Sequence, residues 1–238
     1  MLADEKSFNP DLFIEDYNRN YHTQIQKSDN TDNATAAFTI NGATVVFGHM
    51  PLPIPVGDIE GTAQYAYNWQ TAIEDTREHK THIIVSVLGG GQDQVERFIF
   101  FTQCICSLLR TTSSIGVYKG MQSLLIPKHD YLAEADQMSD DNLPLNLWIY
   151  IGLRISDKGN SGYTYGLAAF NKTEMEVVDS PQSLEDIHNF LLNIAHYLLI
   201  NNAVFQDGQT CGTSEEERIA ITLSKGKFLE GKTFKLAY

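Results

Sequence analysis

Three consecutive glycines, Gly89 to Gly91, stand between the apolar run HIIVSVL and a helical pattern. Such a layout can cradle phosphate, because glycines let backbone N–H groups approach an anion at a helix N-terminus. The residues that follow argue against it. A Walker loop needs Lys and then Ser or Thr to hold phosphate and Mg²⁺, and Gln92-Asp93-Gln94 stands here instead. A dinucleotide fingerprint needs a small residue at position 94, which is Gln. Asp93 puts a carboxylate at the positive end of the helix dipole, so its expected role is to cap its own helix. The run reads as a tight strand-to-helix connection.

Other chemistry fares no better. Cys104 and Cys106 lie two apart on a helical pattern, so their side chains point to opposite sides and cannot share an ion. His79 and His82 straddle a helix end and a strand start, and His188 and His196 are two turns apart on one helix. No metal site is expected. Ser161-Gly162 lacks the flanks of a nucleophile elbow, and Cys211 in QTCGTS has no basic context to activate a thiolate. Glu174 and Glu176 in TEMEVVD alternate with Met175 and Val177, which on a strand puts both acids on one face. That face is expected to be solvated, with the apolar residues turned inward. No catalytic residue and no cofactor is assigned.

What remains is surface. The formal charge is −13, which repels nucleic acid and anionic membranes and attracts a basic partner. Two acidic clusters adjoin turn residues: EADQMSDD, with Asp140 and Asp141, and the run Glu215, Glu216 and Glu217. These five are the candidate partner-binding residues. Three cysteines are too few and too odd in number for a disulfide framework, which suits a reducing compartment. MLADEKSFNPDLF is acidic where a signal peptide is basic, and no apolar run approaches a membrane span of about 20 residues. A cytoplasmic protein is expected.

The elements that must position these groups follow from periodicity. Residues 1–35 form a polar segment, with one short helical stripe through Leu12, Ile14, Tyr17 and Tyr21. Asn41-Gly42 marks a hairpin over 38–47. Prolines at 51, 53 and 55 impose an extended loop. Apolar spacing predicts a helix from Ile59 to about Arg77, then a strand from His82 to Leu88 with both faces covered. The next helix carries apolar residues nearly all round, from Val95 to Leu109. A strand at Ser114 to Tyr118 and a short helix from Lys128 to Met138 lead to a second hairpin over 147–169, turning at Asp157 to Gly162. After the strand MEVVD, Ser180-Pro181 is expected to cap a helix through Leu184, Ile187, Leu191, Ile194 and Leu198. RIAITL and KTFKLAY close the chain as strands around Glu230-Gly231. Hairpins combined with β-α-β connections indicate an α+β fold with a mixed β-sheet. Residues 36–238 read as a single α+β domain, or two intimately packed halves with a boundary near 140–145.

HIIVSVLG, SIGVYKGMQSLLIP, LPLNLWIYIGLRI, YTYGLAAFNKTEMEV and FQDGQTCGTSEEERIAIT, in this order and spacing, resemble the bacterial family called domain of unknown function 4261. The resemblance runs from about Ala36 to Tyr238 and is most specific from Tyr163 to Thr222. That family offers no established catalytic residues to carry over. It implies cytoplasmic residence and a place among proteins encoded beside bacterial polymorphic toxins. The expectation is a non-enzymatic immunity protein that occludes the active site of a cognate toxin, such as one delivered by type VI secretion. The toxin surface would be basic. The alternatives are an enzyme of unrecognised type, using Asp93, His82 or the Glu174/Glu176 pair, and a regulatory module that binds a small ligand.

Overall fold

The computed structural model describes residues 1–5, 8–25, 34–40, 42–91, 93–212 and 217–238. The chain divides into two compact units, Met1–Gln137 and Met138–Tyr238. The sequence pattern had set apart 1–35 and offered, within 36–238, a division near 140–145; the units here meet at 137–138.

In the first unit, Asn9 caps helix α1 (Pro10–Tyr21) by accepting from the N–H groups of Asp11 and Leu12, with Pro at the first helical position. Its buried side is Phe13 and Tyr17, while Leu12 is exposed. Strands β1 (Thr35–Ile40) and β2 (Ala43–Met50) pair antiparallel with Ile40 opposite Ala43, so the hairpin turns at the Asn41-Gly42 step. Asn41 itself lies outside the described residues. Alternation along β1 turns Ala36, Phe38 and Ile40 inward, onto Phe8, Phe13 and Tyr17. The polar N-terminal segment therefore supplies the aromatic half of a core whose other half is the first hairpin. An ion pair of 2.9 Å between Asp16 and Arg110 ties α1 to helix α4 (Gln94–Thr111).

The helix expected from Ile59 to Arg77 is two short ones, α2 (Val56–Ala63) and α3 (Ala72–Thr76). Between them the main chain closes i to i−3 bonds from Tyr65, Ala66 and Trp69. Trp69 is buried against Ile54, Ile59, Ala72 and Leu125, and its indole N–H donates to Asp75 at 2.6 Å. Burying that ring selects the turn over helical propensity. Strand β3 (His82–Gly89) pairs with β2 at the edge of the three-stranded sheet β1-β2-β3. The expectation that both its faces are covered is corrected: Ile84 is 50% and Leu88 57% exposed. An unbroken apolar run has no parity with which to mark an open side. Helix α4 is buried on all sides from Cys104 to Leu109. Strands β4 (Gly116–Lys119) and β5 (Leu124–Pro127) form a ribbon that leads into α5 (Lys128–Ala135).

The second unit is a six-stranded mixed sheet. Its strands are β6 (Tyr150–Ser156), β7 (Gly159–Tyr165), β8 (Met175–Ser180), β9 (Thr210–Cys211), β10 (Ile219–Lys225) and β11 (Lys232–Leu236). They run in the order β6-β7-β8-β11-β10-β9, with β8 and β11 parallel and the other pairs antiparallel. Helix α6 (Leu184–Ile200) packs on β6 and β7. A Cβ at Gly162 would stand 2.5 Å from Ile187, so only glycine lets the helix approach there. The cap of α6 is Ser183, three residues beyond the expected Ser180: Ser183 Oγ accepts from the Asp186 N–H and donates back to its carboxylate. Ser180 is spent as the last residue of β8. The fold is α+β with a mixed sheet. Among the described residues no helix is long and apolar enough to cross a membrane.

Candidate functional site

Asp140 and Asp141 occupy an exposed two-residue turn, across which Ser139 and Asn142 exchange backbone hydrogen bonds of 3.0 and 3.2 Å. Glu215 and Glu216 lie outside the described residues. Glu217 is half-buried just before β10, its carbonyl so close to Gly212 that a Cβ there would meet it at 2.6 Å. β6, the strand after the aspartates, and β10, the strand after Glu217, stand four places apart in the sheet order.

Glu217 borders a groove the sequence reading did not anticipate. β9 is the last strand of the sheet, and between it and the end of α6 lies a cleft of about 940 Å³ lined by Asn193, Tyr197, Val204, Phe205, Gln209 and Cys211. Its floor is ordered by the main chain. Gly208 N–H donates to the Ile221 carbonyl, Ile221 N–H to Gln209, and Leu223 N–H to the Asp207 carboxylate at 2.7 Å. Phe205 meets Phe234 edge-on at 6.0 Å. Tyr197 and Val204 instead face outward, 53% and 70% exposed. Burial, with the Glu217 charge adding to it, pushes the Cys211 thiol up to about 11. That thiol stays protonated at neutral pH and serves as a small apolar wall. One sequence signal could have found this groove: Tyr197 falls off the Leu184-Ile187-Leu191-Ile194-Leu198 stripe, a large aromatic on the polar side of an amphipathic helix.

The groups held for rival chemistry are bonded into the framework. Gly89 and Gly90 take φ of 69° and 85°, and Asp93 caps α4 by accepting from Val95 and Glu96 N–H at 2.7 and 3.2 Å. The helix end that could have met a phosphate thus holds a carboxylate. His79 donates from Nδ1 to the Thr76 carbonyl and accepts the Ile54 N–H on Nε2, and burial holds its pKa down. His82 Nδ1 lies 2.8 Å from the Leu52 carbonyl. Burial pushes the Cys106 thiol up to about 12 and raises Cys104 as well.

The solvated face assigned to Glu174 and Glu176 is corrected. Glu176 is wholly buried, accepting from the N–H groups of Lys227 at 2.9 Å and Phe228 at 3.1 Å and pairing with Lys235 at 3.0 Å. Burial alone would raise its pKa; the Lys227 N–H, the Lys235 ammonium and the Phe228 N–H outweigh it and hold the carboxyl below its usual range. Glu174 accepts from Thr164 at 2.7 Å and from the Gly166 N–H at 2.8 Å, but burial dominates and raises it. β8 lies inside the sheet, and the 226–230 turn folds over its second face, where Phe228 stacks on Tyr163. The two acids do not share a set of partners: Glu176 lies on β8 opposite Tyr163, whereas Glu174 precedes the strand and bonds to Thr164 and Gly166.

Residues 163–237 match the family described as Domain of unknown function (DUF4261). The DUF4261 match takes in β8, α6 and β9 to β11, and with them the groove, Glu217 and the Glu176 clamp. Asp140, Asp141 and the whole Met1–Gln137 unit lie before it. The match thus covers the most specific part of the sequence resemblance and not the stretch from Ala36 to Gly162. No curated protein and no solved structure matches the chain.

Proposed function

We propose that this chain is a non-enzymatic, cytoplasmic immunity protein that binds a cognate polymorphic toxin, of the type VI secreted kind or similar, and occludes its active site. The observation that carries this reading is the coincidence of three features at one edge of the second sheet. An open groove, two exposed apolar side chains at Tyr197 and Val204, and the carboxylate-bearing Glu217 adjoin one another. Interfaces of this kind place an aromatic anchor at the centre and charge at the rim. The charge of −13 suits a basic partner, which acidic side chains would steer over about one Debye length. Asp140 and Asp141, exposed in the Ser139–Asn142 turn and not among the groove's lining residues, serve as a long-range steering patch at most. The enzyme alternative draws no support from the bonding of Asp93, Glu174 or Glu176, whose carboxylates hold a helix cap and two turns.

The test is co-expression with the product of the adjacent upstream gene, followed by purification of the pair. Rescue from toxicity with a stoichiometric complex is the expected result. Tyr197→Ala should then weaken the complex by about 2 kcal/mol, roughly thirtyfold in Kd. Glu217→Lys should slow association, and more so at low salt than at high. Absence of both toxicity and complex would sink the proposal, and wild-type affinity in both variants would move the interface elsewhere.

A further inference from the structure

In the Met1–Gln137 unit, residues 1–3 run as a short extended segment between Thr81 and Ser114, and Leu2 bridges both in the antiparallel sense. The Leu2 N–H donates to the Thr81 carbonyl at 2.9 Å. On the other side the Ala3 N–H donates to the Ser113 carbonyl and the Ile115 N–H to the Met1 carbonyl, both at 3.0 Å. Past this bridge the two flanks continue as β3 and β4, which belong to different sheets and do not pair with each other. A cavity of about 420 Å³ is lined by Leu2, by His82 to Val85 of β3 and by Gly116 to Lys119 of β4, with Ile105, Leu108 and Leu109 of α4 as an apolar wall. It takes up the line of the Leu2 segment between the two strands.

β3 is paired on one side only, with β2. Because Thr81 turns its carbonyl to Leu2, alternation turns the main-chain groups of Ile83 and Val85 to that same outer edge. The eight residues of β3 include no Lys, Arg, Asp, Glu or Pro, and the register with β2 runs unbroken from Met50↔His82 to Ala43↔Gly89. The strand thus lacks the charge, proline or bulge that guards an edge against strand addition. The second unit's sheet has such guards: edge strand β9 is two residues long, and edge strand β6 carries Arg154.

We propose that the space between β3 and β4 receives an extended, uncharged apolar segment of a partner protein, which adds to β3 as a strand. Leu2 shows the fit, since one extended residue bridges both flanks. A second copy's β3 is one strand of a sheet, and a space bounded by β4 and α4 admits a strand and not a sheet. Charged side chains would lose water against Ile105, Leu108 and Leu109, whereas Val, Ile and Thr suit both the strand and the wall. None of these residues lines the groove of the second unit, so this site does not depend on the toxin reading.

Acetyl-Thr-Val-Thr-Val-Thr-amide and the same peptide N-methylated at both valines share their side chains and differ in main-chain donors. Titrating each into the full-length protein therefore separates strand addition from apolar burial, and amide hydrogen exchange followed by NMR reads the edge residue by residue. In the unliganded protein the N–H groups of Ile83 and Val85 should exchange faster than those of Ile84 and Ser86, which alternation turns to β2. Saturation with the first peptide should slow Ile83 and Val85 roughly tenfold, and the N-methylated form should bind roughly tenfold more weakly. Equal binding of the two peptides would overturn the proposal in favour of a cavity for any apolar group. Protection of Ile83 and Val85 that appears without peptide and rises with protein concentration would overturn it in favour of a second copy. Failure of the first peptide to bind at millimolar concentration would also sink it.

Discussion

The two units bury charge in opposite ways. In the second, Glu176 is sealed from solvent and answered by two backbone N–H groups and the Lys235 ammonium, and its pKa falls despite burial. In the first, Lys119 lies against two ring faces, and burial draws its pKa down to about 8. A buried charge whose hydrogen bonds outweigh its desolvation is part of the framework. One whose desolvation prevails, as at Lys119 and at Glu174, is held at a cost to its charged form. The cores differ too: the first unit interlocks Phe8, Phe13, Phe38 and Phe47, with ring centroids 4.7 to 5.8 Å apart, whereas the second buries mainly aliphatic side chains such as Val177, Ile187, Leu191 and Leu198 around Trp148.

The two tryptophans divide between the units, Trp69 in the first and Trp148 in the second, so each can report its own unfolding in a background where the other is Phe. Phe13→Ala removes a fully buried ring and should cost about 3–5 kcal/mol in urea unfolding followed at Trp69. Glu176→Ala strips two backbone N–H groups of their acceptor and Lys235 of its ion pair, though the ammonium keeps the Lys225 carbonyl and the Thr233 hydroxyl, and should cost about 3 kcal/mol at Trp148. The contrast between the units fails if each variant moves both probes equally.

A smaller effect separates the neighbouring carboxylates. Glu174 has a raised folded pKa, so its ionisation opposes folding at neutral pH and that penalty fades as pH falls through the raised value. Glu176 has a depressed one. Its contribution is complete above the ordinary glutamate pKa of 4.5 and is lost as pH falls through the lowered value. The difference in Trp148 unfolding between the unmodified chain and Glu174→Gln should therefore shrink on acidification from pH 7 towards 5. The difference from Glu176→Gln should persist to below pH 4.5 and then close. Smallest are the helix caps, one in each unit: Asp93→Ala and Ser183→Ala should each cost about 1 kcal/mol, at Trp69 and Trp148 respectively. A cost at the wrong probe would count against independent units.

Legibility followed the range of the interaction. The Asp93 cap and the α6 stripe are decided within a few residues and stand where the pattern placed them, while the turn expected over Asp157 to Gly162 is confined to Asp157 and Lys158, with Gly159 to Gly162 already in β7. Trp69 shows the reverse, since its burial against Ile54 and Leu125 breaks a helix that local spacing favoured. The candidate site was half legible: Glu217 was named for its charge, but the groove beside it needed β9, α6 and the 206–209 turn to meet. The lysine at the edge of the first unit's cavity had no signal at all, because a single Lys in GVYK looks like any solvated strand end.

By itself the sequence determined the α+β character, both hairpins, the two long helices and the large negative charge. These rest on periodicity, turn chemistry and composition, which act over a few residues or over none. Only the tertiary structure decided that Glu176 is covered and Glu174 partly so, that β3 is an open edge, and that Phe13 and Tyr17 belong to the first hairpin's core. Alternation along a strand says which residues share a face. What lies against that face is chosen by chain segments distant in sequence, here the 226–230 turn and the N-terminal helix.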